Sequence, residues 1–261
     1  MPFYQPDQVR YFSFESLAGF PLDQAVFTRQ GGTSPAPWAS LNMGGTVGDD
    51  PERVQQNKEQ ALHVFQRNPS SVFDVFQVHS ADVVFSDVPR PPSIPHQKAD
   101  IILTDRPGLT LMMRFADCVP ILLFDPAQKV VGLVHAGWVG TLKKAVTVAV
   151  EAMQTRYHCQ PHDILAAIGP SIGPDHYEVG EDVVTQVRQV FGTQSSDLLP
   201  GVNGHVHFDL WKANRLLLEM AGVRQIEVAG VCTACHVEDW FSHRAEHGKT
   251  GRFGALVGLK G

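Results

Sequence analysis

The 261-residue sequence has few cysteines and contains no run of basic residues. Its four cysteines are too few for a disulfide framework in a chain of this length, so we expect each to be a free thiol or a metal ligand. Lysine and arginine are scattered and the formal net charge is -6, so no segment could follow the phosphates of a nucleic acid or an anionic membrane. We therefore expect neither nucleic acid nor membrane as a partner.

Long apolar segments are also missing from the sequence. No stretch approaches the roughly 20 apolar residues that a membrane span requires, and the first residues lack the basic and apolar pattern of a secretory leader. Apolar residues nevertheless make up 43% of the sequence and charged residues 18%, which is typical of a folded globular chain. These features predict a cytoplasmic protein whose ligands are small molecules.

Short apolar runs and helical patterns follow one another along the chain. Runs bounded by turn residues predict strands at 72–78, 83–88, 101–104, 109–114, 121–124, 130–134, 164–168, 226–229 and 255–259. Apolar spacing of three and four predicts helices at 51–65, 142–153, 181–191 and 210–220. Because no linker, repeat or low-complexity tract divides the chain, we predict one mixed α/β domain over residues 1–261.

Three of the apolar runs lead directly to a residue that can bind a metal. These residues are His79, Cys118 and His135. Side chains at strand ends converge across a sheet, and two imidazoles with one thiolate suit zinc at about 2.0–2.3 Å. Three protein ligands leave a fourth position for water or substrate, which indicates a catalytic site. The spacing alone is equally compatible with three unrelated core residues.

The segments around these residues resemble the signature of the laccase-domain or YfiH-like family, also called multicopper polyphenol oxidases. The ligand-bearing motifs are Gln77-Val78-His79, Ala116-Asp117-Cys118-Val119-Pro120 and His135-Ala136-Gly137-Trp138. The similarity continues, in family order, through Thr28–Gly32, Ser40–Asn42, Ile168–Gly173, Tyr177–Gly180 and Gly248–Arg252. It covers the chain from about residue 26 to its end.

This resemblance implies a YfiH-like four-layer α/β/β/α sandwich with mixed sheets, and zinc held by His79, Cys118 and His135. It also implies purine nucleoside phosphorylase activity, in which adenosine, inosine, guanosine or methylthioadenosine reacts with phosphate to give free base and ribose 1-phosphate. Adenosine deaminase activity is implied alongside. Copper is the alternative metal, and a copper-dependent polyphenol oxidase is the corresponding alternative activity.

Further residues in or beside the family-like motifs are candidates for catalysis and substrate binding. Asp117 is predicted to move protons together with the three ligands, with Glu178 as the other candidate, since zinc-dependent deaminases use a separate carboxylate for that step. The predicted substrate-binding residues are Arg29, Asn42, Glu178, Arg244, Lys249 and Arg252. The four cations could bind phosphate, because guanidinium groups match phosphate oxygens in pairs. For each residue a salt bridge, a turn cap or a solvated surface position is the alternative.

Two other functions remain open from the sequence. Cys118 could be a nucleophile activated by a neighbouring histidine, as in a thiol hydrolase, or a metal could only brace a binding or assembly module. The segment 232–236 matches the C-x-x-C-H pattern of haem attachment but is more typical of free thiols, with a second metal site or a redox pair as alternatives. A single His-x-His pair, at His205 and His207, is too little for a multicopper centre. The preferred nucleoside and the oligomeric state stay open.

Overall fold

The computed structural model of the chain describes residues 2–261, and its strands form two six-stranded sheets and one short hairpin. The strands are β1 (Phe3–Tyr4), β2 (Tyr11–Phe12), β3 (Leu22–Phe27), β4 (Val72–Asp74), β5 (Val83–Phe85), β6 (Ile101–Thr104), β7 (Thr110–Phe115), β8 (Val119–Asp125), β9 (Val130–Ala136), β10 (Leu165–Ile168), β11 (Gly201–Val202), β12 (His205–Val206), β13 (Gln225–Val228) and β14 (Phe253–Leu259). Sheet one has the order β1-β2-β3-β14-β7-β4, sheet two the order β13-β10-β8-β9-β6-β5, and β11 and β12 form the hairpin. Both large sheets combine parallel and antiparallel pairs.

Five α-helices accompany the strands in the described residues. They are α1 (Pro51–His63), α2 (Trp138–Leu142), α3 (Ala145–Tyr157), α4 (Glu181–Phe191) and α5 (Leu210–Met220). The Asp50 side chain accepts a hydrogen bond from the Glu52 amide at the start of α1, and Asp209 caps the start of α5 in the same way. Within residues 2–261, no helix has the length and apolar character needed to cross a membrane.

Three buried clusters show how the layers are stacked. Side chains alternate across a strand, so each sheet presents two faces. The outer face of sheet one packs Phe27, Met112 and Leu256 against Leu62 of α1. The inner faces of the two sheets meet through residues such as Leu111, Met113, Leu122, Phe124, Leu133 and Phe253. The outer face of sheet two packs Ile101, Ile121 and Leu123 against α3, α4 and α5. The predicted four-layer α/β/β/α sandwich with mixed sheets is therefore confirmed.

The predicted elements agree with the structure where the apolar pattern is uninterrupted. The strand at 101–104 and the helices at 181–191 and 210–220 have the predicted bounds. The strand predicted at 72–78 ends at Asp74, and the strand predicted at 83–88 ends at Phe85. The helix predicted at 142–153 is wrong as a single element, because Lys144 adopts a left-handed conformation with φ of 58° and separates α2 from α3.

The first three strands were not predicted. Strands β1 and β2 contain two residues each, too few to show an alternating pattern. Strand β3 is longer, but Asp23 and Gln24 interrupt its apolar run. The Gln24 side chain is buried and hydrogen-bonds both the amide and the carbonyl of Phe14. A polar residue is therefore stable in the core at this position, because its hydrogen bonds are satisfied.

Candidate metal centre

The pairing of β8 with β9 brings two of the three predicted ligands together. In this antiparallel pair Val119 lies opposite Ala136 and Pro120 opposite His135, so Cys118 at the start of β8 comes close to the end of β9. His79 reaches the same place from the loop after β4. One ligand atom from each of His79, Cys118 and His135 lies within 4.8 Å of the other two. The three residues form a group that could hold a metal ion.

Gly137 leaves room for the ligand atoms. A Cβ atom built at this position would lie 2.8 Å from Cys118 Sγ and 3.2 Å from His79 Nδ1. Real Cβ atoms essentially never come as close as the first distance, and the second would require the His79 ring to move by a few tenths of an ångström. The close approach therefore requires glycine here, and the residues present fit a tightly packed N/S/N metal site.

The backbone at two positions of the centre is in the left-handed region. His79 has φ of 57° and Asp117 has φ of 76°, and neither residue is glycine. This conformation costs roughly 1–3 kcal/mol per residue and persists only where neighbouring contacts enforce it. The His79 amide donates to Asp100 Oδ1 at 3.1 Å, and the Asp117 carboxylate is held by two donors described below. These contacts fix the directions of the His79 and Cys118 side chains.

Asp100 orients the centre and was missed by the sequence analysis. Its carboxylate is fully buried, and Oδ1 lies 2.7 Å from His135 Nδ1. The other oxygen accepts hydrogen bonds from the amide and the hydroxyl of Ser80. Burial opposes ionisation, but the hydrogen bonds from His135 and Ser80 lower the pKa of Asp100 to about 2. The carboxylate is therefore ionised, so His135 Nδ1 donates to it and Nε2 is left for a metal.

The charges at the centre favour the thiolate form of Cys118. Burial alone would raise its pKa, but the charges and hydrogen bonds of His135 and His79 lower it to about 6. Burial would lower the pKa of His135, but the charge of Cys118 and the hydrogen bond to Asp100 raise it to about 9. At neutral pH the sulfur is therefore in the form that binds zinc, and a metal would displace the proton on His135.

Asp117 does not have a free carboxylate. Oδ1 accepts a hydrogen bond from the Thr233 hydroxyl at 2.7 Å, and Oδ2 accepts one from the Arg244 amide at 2.7 Å. The side chain is buried. In the structure Asp117 joins two distant loops beside Cys118, and proton transfer by this carboxylate stays a prediction.

Asn42 and Arg29 also have bracing roles. Asn42 is fully buried; its Oδ1 accepts from the amides of Gly44 and Arg252, and its Nδ2 donates to Asp49. The Arg29 guanidinium donates to the carbonyl of Ala39 and forms an ion pair with Glu246 at 2.9 Å. They involve both polar atoms of the Asn42 side chain and two of the three guanidinium nitrogens of Arg29, and contacts of these residues with a substrate stay a prediction.

Arg252 is the predicted cation whose pKa responds to the charges of Cys118 and Asp117. Its side chain is half-buried; burial lowers its pKa, and the negative charges of Cys118 and Asp117 oppose that effect. One guanidinium nitrogen, Nη1, donates to the carbonyls of Thr250 and Gly251. In the described part of the chain Nε and Nη2 have no hydrogen-bond acceptor, so these donors remain for a ligand.

The other predicted substrate-binding residues lie at the surface. Arg244 donates to the Glu178 carbonyl at 2.9 Å, and its guanidinium carbon lies 5.0 Å from the centre of the Tyr177 ring. The Glu178 side chain is exposed and pairs with His205 at 2.9 Å. Lys249 is exposed and forms no ion pair with any residue from 2 to 261.

Tyr177 is a second residue that the sequence analysis did not select. Burial raises the pKa of its hydroxyl, and the nearby charges of Cys118 and Asp117 raise it further. The phenol is therefore protonated at neutral pH and close enough to the centre to sense those charges. Its only signal in the sequence is its place in the family-like motif that precedes Glu178.

The fold and these residues define a mixed α/β protein with a potential N/S/N metal centre at strand ends. Comparison with known proteins then assigns the family. Residues 23–260 match the family described as multi-copper polyphenol oxidoreductase laccase, and the chain belongs to it. The resemblance inferred from the motifs is thereby confirmed.

Similar proteins cover nearly the whole chain. A protein of Geobacillus stearothermophilus named purine nucleoside phosphorylase YlmD is 40% identical over 246 residues, which is 89% of this chain and 88% of the relative. A purine nucleoside phosphorylase of Deinococcus radiodurans is 37% identical, over 91% of this chain and 89% of the relative. The crystal structure of the Bacillus licheniformis hypothetical protein YfiH superimposes with a TM-score of 0.91 at 32% identity and covers 99% of both chains.

Proposed function

We propose that this chain is a zinc-dependent purine nucleoside phosphorylase. Its substrates would be adenosine, inosine, guanosine or methylthioadenosine together with phosphate, and it would also deaminate adenosine. The observation that carries this proposal is the approach of the His79, Cys118 and His135 ligand atoms to within 4.8 Å of one another. The names of relatives that are 37–40% identical support the activity.

Zinc suits the donor set of this centre. Two imidazoles and a thiolate are ligands that zinc prefers, and three of them leave one tetrahedral position open. The buried carboxylate of Asp100 fixes the tautomer of His135, as expected behind a metal-binding histidine. Copper binds the same types of ligand, so the content of the purified protein depends also on metal supply.

A zinc ion held there would act as a Lewis acid towards the substrate. In phosphorolysis, a phosphate oxygen forms a bond to C1′ of the ribose while the bond from C1′ to the base nitrogen breaks, and the departing base takes up the electron pair. Arg252 would hold the phosphate through Nε and Nη2, and Arg244 at the surface is a second cation for it. The protonated hydroxyl of Tyr177 would supply a hydrogen bond to the departing base.

Deamination would use the same centre with a water molecule in place of phosphate. The carbon that bears the amino group gains a bond to oxygen and loses ammonia, and a proton must pass from the water to the leaving nitrogen. Asp117 is committed to Thr233 and Arg244, which leaves Glu178 as the remaining carboxylate candidate. Its side chain is exposed and would have to turn from His205 towards the substrate.

The proposal is tested by incubating the purified, zinc-loaded chain with inosine or adenosine and phosphate. Hypoxanthine, adenine, ammonia and ribose 1-phosphate are measured by chromatography. We expect Cys118→Ala to lose at least ~100-fold in rate, because a metal ligand is removed. The control is Cys159→Ala, which removes a buried thiol packed among α3 and its neighbours. Equal product from wild type and Cys118→Ala would rule out the metal-dependent reaction.

Thiol chemistry at Cys118 is a second candidate function, favoured by its pKa of about 6. A thiolate activated by a neighbouring histidine can act as a nucleophile. In this case iodoacetamide should abolish activity in metal-free buffer, and added zinc should inhibit turnover. The zinc-dependent proposal predicts the opposite response to zinc, so one titration separates the two.

A further inference from the structure

Four metal-binding side chains meet at a second place in the fold. Asp175, His176, Cys232 and Cys235 each offer one ligand atom, and these four atoms all lie within 4.8 Å of one another. Asp175 Oδ2 is 3.0 Å from both His176 Nδ1 and Cys235 Sγ. His176 Nδ1 is 3.4 Å from Cys235 Sγ and 3.8 Å from Cys232 Sγ. The donors belong to two chain segments that are more than fifty residues apart.

The backbone holds these two segments in register. Ser171 and Cys232 form an isolated parallel bridge, and the Thr233 amide donates to the Ser171 carbonyl at 3.1 Å. The amide of Gly173 donates to Cys232 Sγ at 3.2 Å. Hydrogen bonds from backbone amides to a ligand atom are typical of the surroundings of a metal site, where they orient the ligand and stabilise its charge.

The histidine that joins the two cysteines is not the one next to them in sequence. His236 completes the C-x-x-C-H pattern, but its Nδ1 faces Glu238 at 3.2 Å. The imidazole within reach of the sulfur atoms is that of His176. The pattern that resembles a haem attachment motif therefore has a different geometry, and its cysteines combine with a distant Asp-His pair.

Among the described residues the cluster combines one carboxylate, one imidazole and two thiols, and no lysine or arginine pairs with its carboxylate. Two thiols and one carboxylate share this space, and among residues 2–261 the only salt-bridge partner of Asp175 is His176. Without a metal, the Cys235 thiol donates a hydrogen bond to Asp175, and a zinc ion would take the place of the proton between these two atoms.

We propose that Asp175, His176, Cys232 and Cys235 form a second zinc site, separate from the centre at Cys118. Four protein donors complete a tetrahedron, so this site would be structural and closed, in contrast to the three-donor centre. Binding would release the two thiol protons to the buffer, and the zinc ion keeps its charge throughout. The oxidation state of the cysteines does not change.

The second site would hold the loops that flank the first one. Thr233 lies between the two cysteines, and its hydroxyl donates to Asp117, the neighbour of Cys118. Tyr177 follows His176 directly and senses the charge of Cys118. A zinc ion that ties residues 173–177 to residues 231–236 would therefore stabilise the surroundings of the candidate active site without contacting the substrate.

The test is the zinc content per chain of the full-length protein, measured by elemental analysis after dialysis under reducing conditions. We expect two zinc ions in wild type and in Cys159→Ser, and one ion in Cys235→Ser. One ion should also remain in Cys118→Ser, which keeps the second site whole. Because Asp175 is exposed, Asp175→Ala serves as a second variant if Cys235→Ser does not fold, and we expect it to lose the same ion.

Cobalt substitution identifies the ligands of each site. In Cys118→Ser the remaining cobalt should show sulfur-to-metal charge-transfer bands from two thiolates, and in Cys235→Ser from one. A Cys118→Ser protein with no metal would overturn the proposal, and so would a Cys235→Ser chain that holds as much zinc as wild type. Neither result depends on nucleoside turnover, so the proposed function can fail or succeed separately.

Discussion

Replacement of Asp100 by asparagine should weaken zinc binding at the Cys118 centre without unfolding the protein. The carboxylate accepts hydrogen bonds from five groups, namely the amides of Val78, His79 and Ser80, the Ser80 hydroxyl and the His135 ring. An asparagine side chain has nearly the same shape but carries two N–H donors in place of one oxygen. Whichever way it turns, its amide group faces other donors.

The magnitude follows from what each orientation disrupts. If the amide nitrogen takes the place of Oδ2, the Val78 amide and both the amide and the hydroxyl of Ser80 lose their acceptor. If it takes the place of Oδ1, the His79 amide loses its acceptor and the His135 ring loses the contact that keeps Nε2 free for the metal. Loss of such an orienting carboxylate lowers metal affinity by roughly 10–100-fold, or about 1.4–2.8 kcal/mol. The unpaired buried groups should lower the free energy of unfolding by a further ~1–3 kcal/mol.

The assay is competition for zinc against a chromophoric chelator at pH 7, carried out in a Cys235→Ser background so that a single site is observed. Asp125→Asn is the matched control, since Asp125 is also fully buried and accepts two backbone hydrogen bonds away from the centre. The control should lose stability and keep its zinc affinity. If Asp100→Asn bound zinc as tightly as the parent chain, the orienting role assigned to Asp100 would be refuted.

Three further predictions concern other contacts. Gly137→Ala should lower zinc affinity at least ~10-fold, because the new methyl group would lie 2.8 Å from Cys118 Sγ. Gly45→Ala is the control, since a methyl group there has no atom within 4 Å and should leave the zinc affinity unchanged. Equal zinc affinities of the two variants would contradict the packing argument. Arg252→Gln should raise the KM for phosphate by roughly 10–100-fold, because it removes the charged donors proposed to bind phosphate. Arg215→Gln is the control; it removes an exposed ion pair with Glu219 and should leave the KM for phosphate unchanged. Burial raises the pKa of Asp74, but Arg114 and Arg90 hold it below its usual value. The ion pairs of Asp74 therefore stabilise the fold fully above pH ~4 and progressively less below it. Urea unfolding should show Asp74→Asn less stable than wild type by about 3 kcal/mol at pH 7 and by roughly 1 kcal/mol less than that near pH 3. An equal difference at the two pH values would be the contrary result.

The sequence predicts the central part of the fold because its strands and helices are built from uninterrupted patterns. All four residues of β6 are apolar or β-branched and fully buried, and α4 and α5 carry clear amphipathic spacing. The N-terminal strands lack such patterns, because β1 and β2 are very short and β3 carries Asp23 and Gln24 in its buried part. Asp23 and Gln24 belong to a sheet because they pair with Gly258 and Val257 of β14.

The candidate ligands were identifiable because each follows or ends an apolar run. Asp100 has a weaker signal, a single acid before the apolar strand β6, and its function depends on the loop at 78–80 wrapping around its carboxylate. The hydrogen bonds of Asn42 and Asp117 could not be predicted, because their partners, Arg252 and Arg244, come from distant parts of the chain. Hydrogen bonds between such distant segments leave no pattern in the local sequence.

X-ray absorption at the zinc edge of the Cys235→Ser chain, loaded with one zinc ion, tests the metal centre itself. We expect one sulfur neighbour at about 2.3 Å and two imidazole nitrogens at about 2.0–2.1 Å, with the sulfur signal lost when Cys118→Ser is added. A spectrum without a sulfur neighbour, or one that Cys118→Ser leaves unchanged, would contradict the metal centre on which the proposed phosphorolysis depends.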